Sequence, residues 1–247
     1  MDLYNSIIKQ TEALTGASAP KKFKYDPAKA WRDGGVSELV MLRDAAFELG
    51  ENNQPAVNYS CVTTDASLVC EDEVVLVGPD LTEMKRGTPF ARIALVLVEE
   101  LKTGKDEDDT EPVFRAIQNI DFVKYHVFPE GYMVRTSSEN MREQVRVSKA
   151  AIAKGISFER VGCDYIRQFK KDPNVKAVQL IFVTAPDADY KAMAANAKSV
   201  HDITMTLSKI LEGMPTDCGS CNLKPICDEV EGLKELHFGK KAKEFKG

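Results

Sequence analysis

Three cysteines toward the C-terminal end carry the sharpest chemical pattern, Cys218-Gly-Ser-Cys221-Asn-Leu-Lys-Pro-Ile-Cys227, a C-x2-C-x5-C segment. A C-x2-C pair sets two thiolates on one tight turn, within reach of a single metal or cluster. Gly219 lets the backbone bend closely around such a ligand, and Pro225 stiffens the approach to Cys227. Thiolates without a bridging histidine fit an iron–sulfur cluster or a zinc site, and the motif alone does not choose between them. Either would normally take four ligands. Asp217, Asp228, His237 or one of the other cysteines would complete the set, unless one position stays open. The plainer alternative is a reduced, metal-free loop or a redox pair. Cys61, Cys70 and Cys163 are scattered and read as small apolar core residues. His126 and His201 have no ligand neighbour in sequence, and no Ser-His-Asp order, Walker loop or GxGxxG is present.

A second pattern is electrostatic. Between Gly131 and Lys171 stand Arg135, Arg142, Arg146, Lys149, Lys154, Arg160, Arg167, Lys170 and Lys171, opposed only by Glu139, Glu143, Glu159 and Asp164. The segment is strongly positive inside a chain whose net charge is −5. Arg135, Arg142, Arg146 and Lys149 flank the small polar stretch Thr136-Ser137-Ser138, an arrangement suited to a phosphorylated cofactor or an acidic partner surface. Solvated helix faces account equally well for some of these charges.

The elements that must position these residues follow from periodicity. Leu3, Ile7, Ile8 and Leu14 predict an amphipathic N-terminal helix, and Thr15 to Pro27 reads as a linker. A short helix is expected around Ser37 to Ala45. Val57–Val62, Glu73–Val77 and Ile93–Val98 predict strands, with turns at Gly78-Pro79-Asp80 and Lys85 to Pro89. The acidic run Lys105 to Asp109 reads as a solvated loop. Helices are expected over Pro112–Tyr125, Ser148–Lys154 and Phe158–Lys171, then a strand over Val175–Thr184 and a long helix over Asp187–Leu211. Strands grouped early and helices late predict an α+β fold, a mixed sheet covered by helices, with a short cysteine-containing C-terminal tail. The division expected is 1–35 for an N-terminal helix and linker, 36–213 for the core, and 214–247 for a metal-binding tail.

Composition limits the function classes. With 43% hydrophobic and 29% charged residues over 247 positions, neither disorder nor a fibrous repeat fits. An acidic balance, with pI near 5.4, argues against a general nucleic-acid binder. No apolar run approaches the ~20 residues that cross a bilayer, and no signal-peptide pattern opens the chain. The expectation is a cytoplasmic protein with no membrane and no nucleic-acid partner, in which cysteines serve as thiols or metal ligands.

Several stretches together resemble a known family. These are Ala46-Phe47-Glu48-Leu49, Val74-Val75-Leu76-Val77-Gly78-Pro79-Asp80-Leu81, Arg146-Val147-Ser148-Lys149 continuing through Gly155, Val178 to Thr184, and Cys218-x2-Cys221 after a helix. In order and spacing they are similar to the middle domain, and the start of the last domain, of acetyl-CoA synthase. That protein is the β subunit of the carbon monoxide dehydrogenase/acetyl-CoA synthase complex. The resemblance implies the α+β fold of that middle domain, and it implies coenzyme A as the ligand of the basic segment through Arg135, Arg142, Arg146 and Lys149. Arg146 and Lys149 lie in the matched motif itself, whereas Arg135 and Arg142 are expected in a loop of altered length. Where the family carries a tryptophan in that loop, this chain has Tyr132-Met133, and its single tryptophan is Trp31.

The resemblance further implies that Cys218 and Cys221 match the first C-x2-C of the family's cubane cluster, which is bridged to two nickel ions. Cys227 follows after a shorter gap than the family's third ligand, and no downstream Cys-Gly-Cys, the element that holds the distal nickel, follows it. The expectation is therefore an iron–sulfur cluster, with zinc as the alternative, and no nickel. Two functions follow. One is a truncated acetyl-CoA synthase-like protein of anaerobic one-carbon metabolism that binds a cluster and coenzyme A. The other is a non-catalytic docking or assembly module for corrinoid, methyl-transfer or carbon monoxide dehydrogenase partners.

Overall fold

Among the described residues, eight strands form one mixed sheet, and the four segments predicted as strands from the sequence supply its centre. The computed structural model describes residues 3–16, 19–32, 45–50, 56–99, 111–125, 127, 129, 131–137 and 142–211. The first half of the chain supplies α1 (Asn5–Gly16), β1 (Lys21–Lys24), β2 (Ala45–Leu49), β3 (Val57–Thr63), β4 (Glu73–Val77) and β5 (Ala91–Val98). The second half supplies α2 (Glu111–Phe122), β6 (Tyr132–Ser137), β7 (Arg142–Ser148), α3 (Lys149–Ala153), α4 (Phe158–Phe169), β8 (Val175–Val183) and α5 (Tyr190–Leu211). Strand order is β1-β4-β8-β5-β3-β7-β2, with β6 lying along β7. β4 pairs parallel with β8 and β3 parallel with β5, while the central β5–β8 pair is antiparallel.

The register sorts the residues onto two faces. Tyr59, Ile93, Ile181 and Val75 share one face, and Asn58, Arg92, Phe182 and Leu76 share the other. Helices α1, α2 and α5 pack over β3, and the Thr11 hydroxyl of α1 lies 2.7 Å from the Tyr59 hydroxyl on the first face. Helix α4 covers the second face along β4 and β8. Phe158 at its start packs on Phe182 and Phe90, with ring centroids 4.5 and 5.8 Å away. Both faces are thus covered, which is why β3 and β4 are buried along their whole length, and β5 along all of it but Leu97, without clean alternation. Gly162 lets α4 approach the sheet closely: a Cβ there would meet the Val74 methyls at 2.6 Å.

Helix α4 begins where Ser157 caps it, the hydroxyl accepting from the Arg160 N–H at 3.2 Å. Asp80, in the turn after β4, accepts from the Phe158 N–H at 2.9 Å and ties that helix start to the sheet. The expected strands and the helices α1, α2, α3, α4 and α5 all form, within a few residues of their expected bounds.

Two expectations are corrected. The stretch from Thr15 to Pro27 is not wholly linker, because Lys21–Lys24 pairs antiparallel with β4 as an edge strand. Its one apolar residue, Phe23, gave no alternation to read, and three lysines on an edge strand discourage further strand pairing. Arg135 and Arg142 are not in a loop but in β6 and β7. Of the helix expected around Ser37 to Ala45, only Ala45 falls within the described residues, and it opens β2.

Candidate functional site

Cys218, Cys221 and Cys227 lie outside the described residues. The other three cysteines are free thiols. Cys61 on β3 is fully buried, and burial pushes its thiol far above the ordinary cysteine range. Cys163 on α4 is buried as well; burial raises its thiol, partly opposed by a backbone hydrogen bond at Asp26. Cys70, expected in the core like the other two, is instead exposed between β3 and β4. Among the described residues, no three His, Cys, Asp or Glu side chains come together in a group able to hold a metal. Cys61 and Cys163 therefore serve the core, as a small apolar residue would.

The basic segment divides into two parts. On α4, Arg160 stacks over the buried Trp31 ring at 4.4 Å and donates to the carbonyls of Gly155 (3.1 Å), Lys154 (3.4 Å) and Lys29 (3.4 Å). Arg167 pairs with Asp164, and Lys170 with Asp72 at 2.7 Å. Arg160 and Lys170 tie this helix to its neighbours, and the Arg167 pair lies within it.

The β6–β7 hairpin has a different character. Its register sets Tyr132 opposite Val147 and Val134 opposite Val145, and Tyr132, Val145 and Val147 are buried. The alternate positions pair Met133 with Arg146, Arg135 with Gln144 and Ser137 with Arg142. Because side chains alternate across a strand, Arg135, Arg142 and Arg146 occupy positions on one face of the hairpin. On the far edge of β7, Glu48 of β2 stands opposite Arg146, and their side chains form an ion pair. The Arg146 side chain keeps 18% of its surface exposed and that of Glu48 keeps 32%. Arg146 Nε is buried with no hydrogen-bond partner among the described residues.

Lys149 follows directly as the first residue of α3, exposed to solvent. Ser148 fixes that junction: its hydroxyl accepts from the Ala151 N–H at 2.9 Å, and its own N–H donates to the Gly131 carbonyl at 2.9 Å. Gly131, at φ +74, sits so close that a Cβ would meet Ala151 Cβ at 2.6 Å. The start of the hairpin and the start of α3 are thereby clamped together, and all four sequence-predicted basic residues belong to one continuous hairpin–helix unit.

Two charged residues that the sequence reading passed over now stand out. Arg92 on β5 is only 2% exposed. Its guanidinium lies 4.1 Å from the Tyr165 ring centroid and donates to the Tyr165 hydroxyl. The signal was a cation at the head of the run Ala91-Arg92-Ile93-Ala94. Arg92 does not join the hairpin arginines. The pairing of Val57 with Arg142 sets Arg142 on the sheet face of Val57 and Tyr59, whereas Arg92 pairs with Asn58 on the opposite face. The second residue is Glu48, visible only once the β2–β7 register was known.

Comparison with known proteins bears on the same stretch. Residues 36–188 match the family model of the CO dehydrogenase/acetyl-CoA synthase complex beta subunit. The acetyl-CoA decarbonylase/synthase complex subunit beta of Archaeoglobus fulgidus is 29% identical over 154 residues, covering 61% of this chain. The chain spans 27% of that relative's length. The match takes in β2, the hairpin with its arginines and the central strands, and it runs over more than half of the sequence. The chain belongs to the CO dehydrogenase/acetyl-CoA synthase complex beta subunit family.

Proposed function

We propose that this protein is an acetyl-CoA synthase-like component of anaerobic one-carbon metabolism that binds coenzyme A on the β6–β7 hairpin and an iron–sulfur cluster through Cys218, Cys221 and Cys227. One observation carries the coenzyme A reading: Arg135, Arg142 and Arg146 share a face of a hairpin inside the family-matched span, with Lys149 at its end. Arginine positions that share one face suit the phosphates of a phosphorylated nucleotide, because a guanidinium can offer two parallel donors to a phosphate. Lys149 adds a mobile point charge. The rigid Gly131–Ser148–Ala151 clamp limits the entropy lost on binding.

For the cluster, support comes from the donor chemistry. Three soft thiolates at C-x2-C-x5-C spacing suit iron–sulfur ligation, with zinc the alternative. A cluster held there would supply redox or Lewis-acid chemistry; the chain's own part is to hold it and to present the hairpin. The protein acts in the cytoplasm, away from membranes, consistent with the finding that no helix among the described residues is long and apolar enough to cross a bilayer. Its protein partners belong to the carbon monoxide dehydrogenase and corrinoid class, in keeping with a relative whose name makes it a complex subunit.

The test is binding and metal content under anaerobic conditions. Calorimetry with coenzyme A is expected to show binding that falls about tenfold or more in Arg146→Ala, the loss of one charge-assisted contact. Iron and sulfide analysis with EPR is expected to find a cluster that Cys221→Ser removes. Protein without metal and without coenzyme A affinity would sink the reading. A second reading, a non-catalytic docking or assembly module, draws on the extent of the match, which reaches residue 188 and so covers the hairpin but not Cys218. It predicts capture of an acidic protein partner by the hairpin face, with coenzyme A failing to compete.

A further inference from the structure

The ion pair between Glu48 and Arg146 asks for a function of its own. It joins two strands, β2 and β7, that already exchange backbone hydrogen bonds over Ala45–Leu49 and Val145–Ser148. A largely buried pair between strands that are already hydrogen-bonded is by itself weak evidence for stability, because desolvation offsets its attraction. Its placement is more informative. Arg146 stands between Glu48 on one edge of β7 and Met133 on the other, on the same face as the positions of Arg135 and Arg142. Glu48 engages the NH2 group of the guanidinium, while Nε keeps a buried N–H with no acceptor among the described residues. The arginine is therefore neutralised but only half used as a donor, whereas a carboxylate or phosphate meeting it ideally would take two parallel N–H bonds.

We propose that Glu48 is a positioning and specificity-determining residue of the arginine face. It holds Arg146 in a partly shielded position and acts as an internal competitor that only a multiply charged phosphate group displaces. The proposal rests on the reading of the hairpin as a site for a phosphorylated nucleotide and adds the rule by which that site selects. A singly charged anion gains little by replacing an attached carboxylate at high effective concentration. A diphosphate or a phosphate monoester dianion brings more charge and more acceptor oxygens, and so prevails. Removing the Glu48 charge lifts both the competition and the repulsion between its carboxylate and the incoming phosphate. Anion binding then becomes tighter and less selective.

The experiment compares wild type with Glu48→Gln, using inorganic pyrophosphate, adenosine 3′,5′-bisphosphate and acetate as probes at low and high salt. Glu159→Gln, which removes an equal charge from the Lys29 pair on α4, serves as the control for net charge. Glu48→Gln is expected to bind pyrophosphate and the bisphosphate about fivefold tighter or more, and to gain measurable acetate affinity, with both gains shrinking at high salt. Glu159→Gln is expected to match wild type, and Arg146→Ala added to Glu48→Gln is expected to abolish the gain. Should Glu48→Gln not fold, Glu48→Asp, which keeps the charge but withdraws it by one methylene, is expected to show a smaller gain of the same sign.

Unchanged or weaker anion affinity in the folded Glu48 variant would overturn the proposal, since a merely structural pair predicts that result. Failure of the coenzyme A reading looks different: pyrophosphate binding that responds to Glu48→Gln, with no binding of coenzyme A by either protein. If no protein binds any probe, both readings fall.

Discussion

Two arginines in neighbouring parts of one sheet meet opposite conditions. Arg92 is enclosed, its guanidinium against the Tyr165 ring and bonded to that hydroxyl, so its charge is spent inside the fold. Arg146 stands at the rim of the core with one carboxylate beside it and, among the described residues, no acceptor for its Nε–H. Buried arginine stacked on an aromatic ring is worth about 2 kcal/mol or more when desolvated, and Arg92→Ala is expected to destabilise the protein while leaving anion binding on the other face unchanged. The cysteines divide in the same way. A thiol must reach solvent and lose its proton to react. Cys70 is exposed, whereas burial both hides and raises the thiols of Cys61 and Cys163. In native protein treated with iodoacetamide near neutral pH, peptide mass spectrometry should find Cys70 modified well before Cys61 or Cys163. Equal rates at the three sites would contradict the burial described.

At the scale of elements, the contact between α4 and the sheet is the most sensitive junction. Gly162→Ala would press a methyl to 2.6 Å from the Val74 methyls and 3.2 Å from the Phe182 ring. Overpacking of this kind costs about 1–3 kcal/mol, to be read as a lower urea midpoint with an unchanged slope; an unaffected midpoint would mean that α4 is free to shift. The elements also differ in how plainly the sequence announced them. β3, β4, β5 and β8 are apolar runs bounded by turns, and α4 has its serine cap and aromatic stripe, so each was legible. β1 was not, because Lys21-Lys22-Phe23-Lys24 owes its strand conformation to the β4 edge it joins rather than to its own pattern. The hairpin was half legible. Val145 and Val147 alternate with Gln144 and Arg146, but the excess of charge drew attention to the sum of the arginines rather than to their spacing. What no single strand could reveal was Glu48, whose meaning depends on pairing between residues a hundred positions apart.

For the whole molecule, the family-matched span and the folded unit are not the same thing. Residues 36–188 leave out α1, β1 and α5. Yet Leu3, Tyr4, Ile7, Ile8 and Trp31 from one end, and Met193, Ala197, Val200, Ile203 and Leu207 from the other, belong to the same buried core. Residues 36–188 expressed alone are expected to expose the Tyr59 face of β3, to bind a hydrophobic dye and to melt without a sharp transition. Cooperative unfolding of that fragment at the stability of the full chain would show the flanking helices to be dispensable.

The strand order has a consequence for how this protein is made. β8, the last strand among the described residues, lies between β4 and β5 at the middle of the sheet. Until residues 175–183 leave the ribosome, β4 and β5 have no common neighbour, and each presents an apolar, unpaired edge of the kind that recruits foreign strands. The nascent chain thus carries this aggregation hazard from the emergence of β5 until β8 follows it. It is relieved in one step, when a single nine-residue strand enters the slot and joins two half-sheets into one.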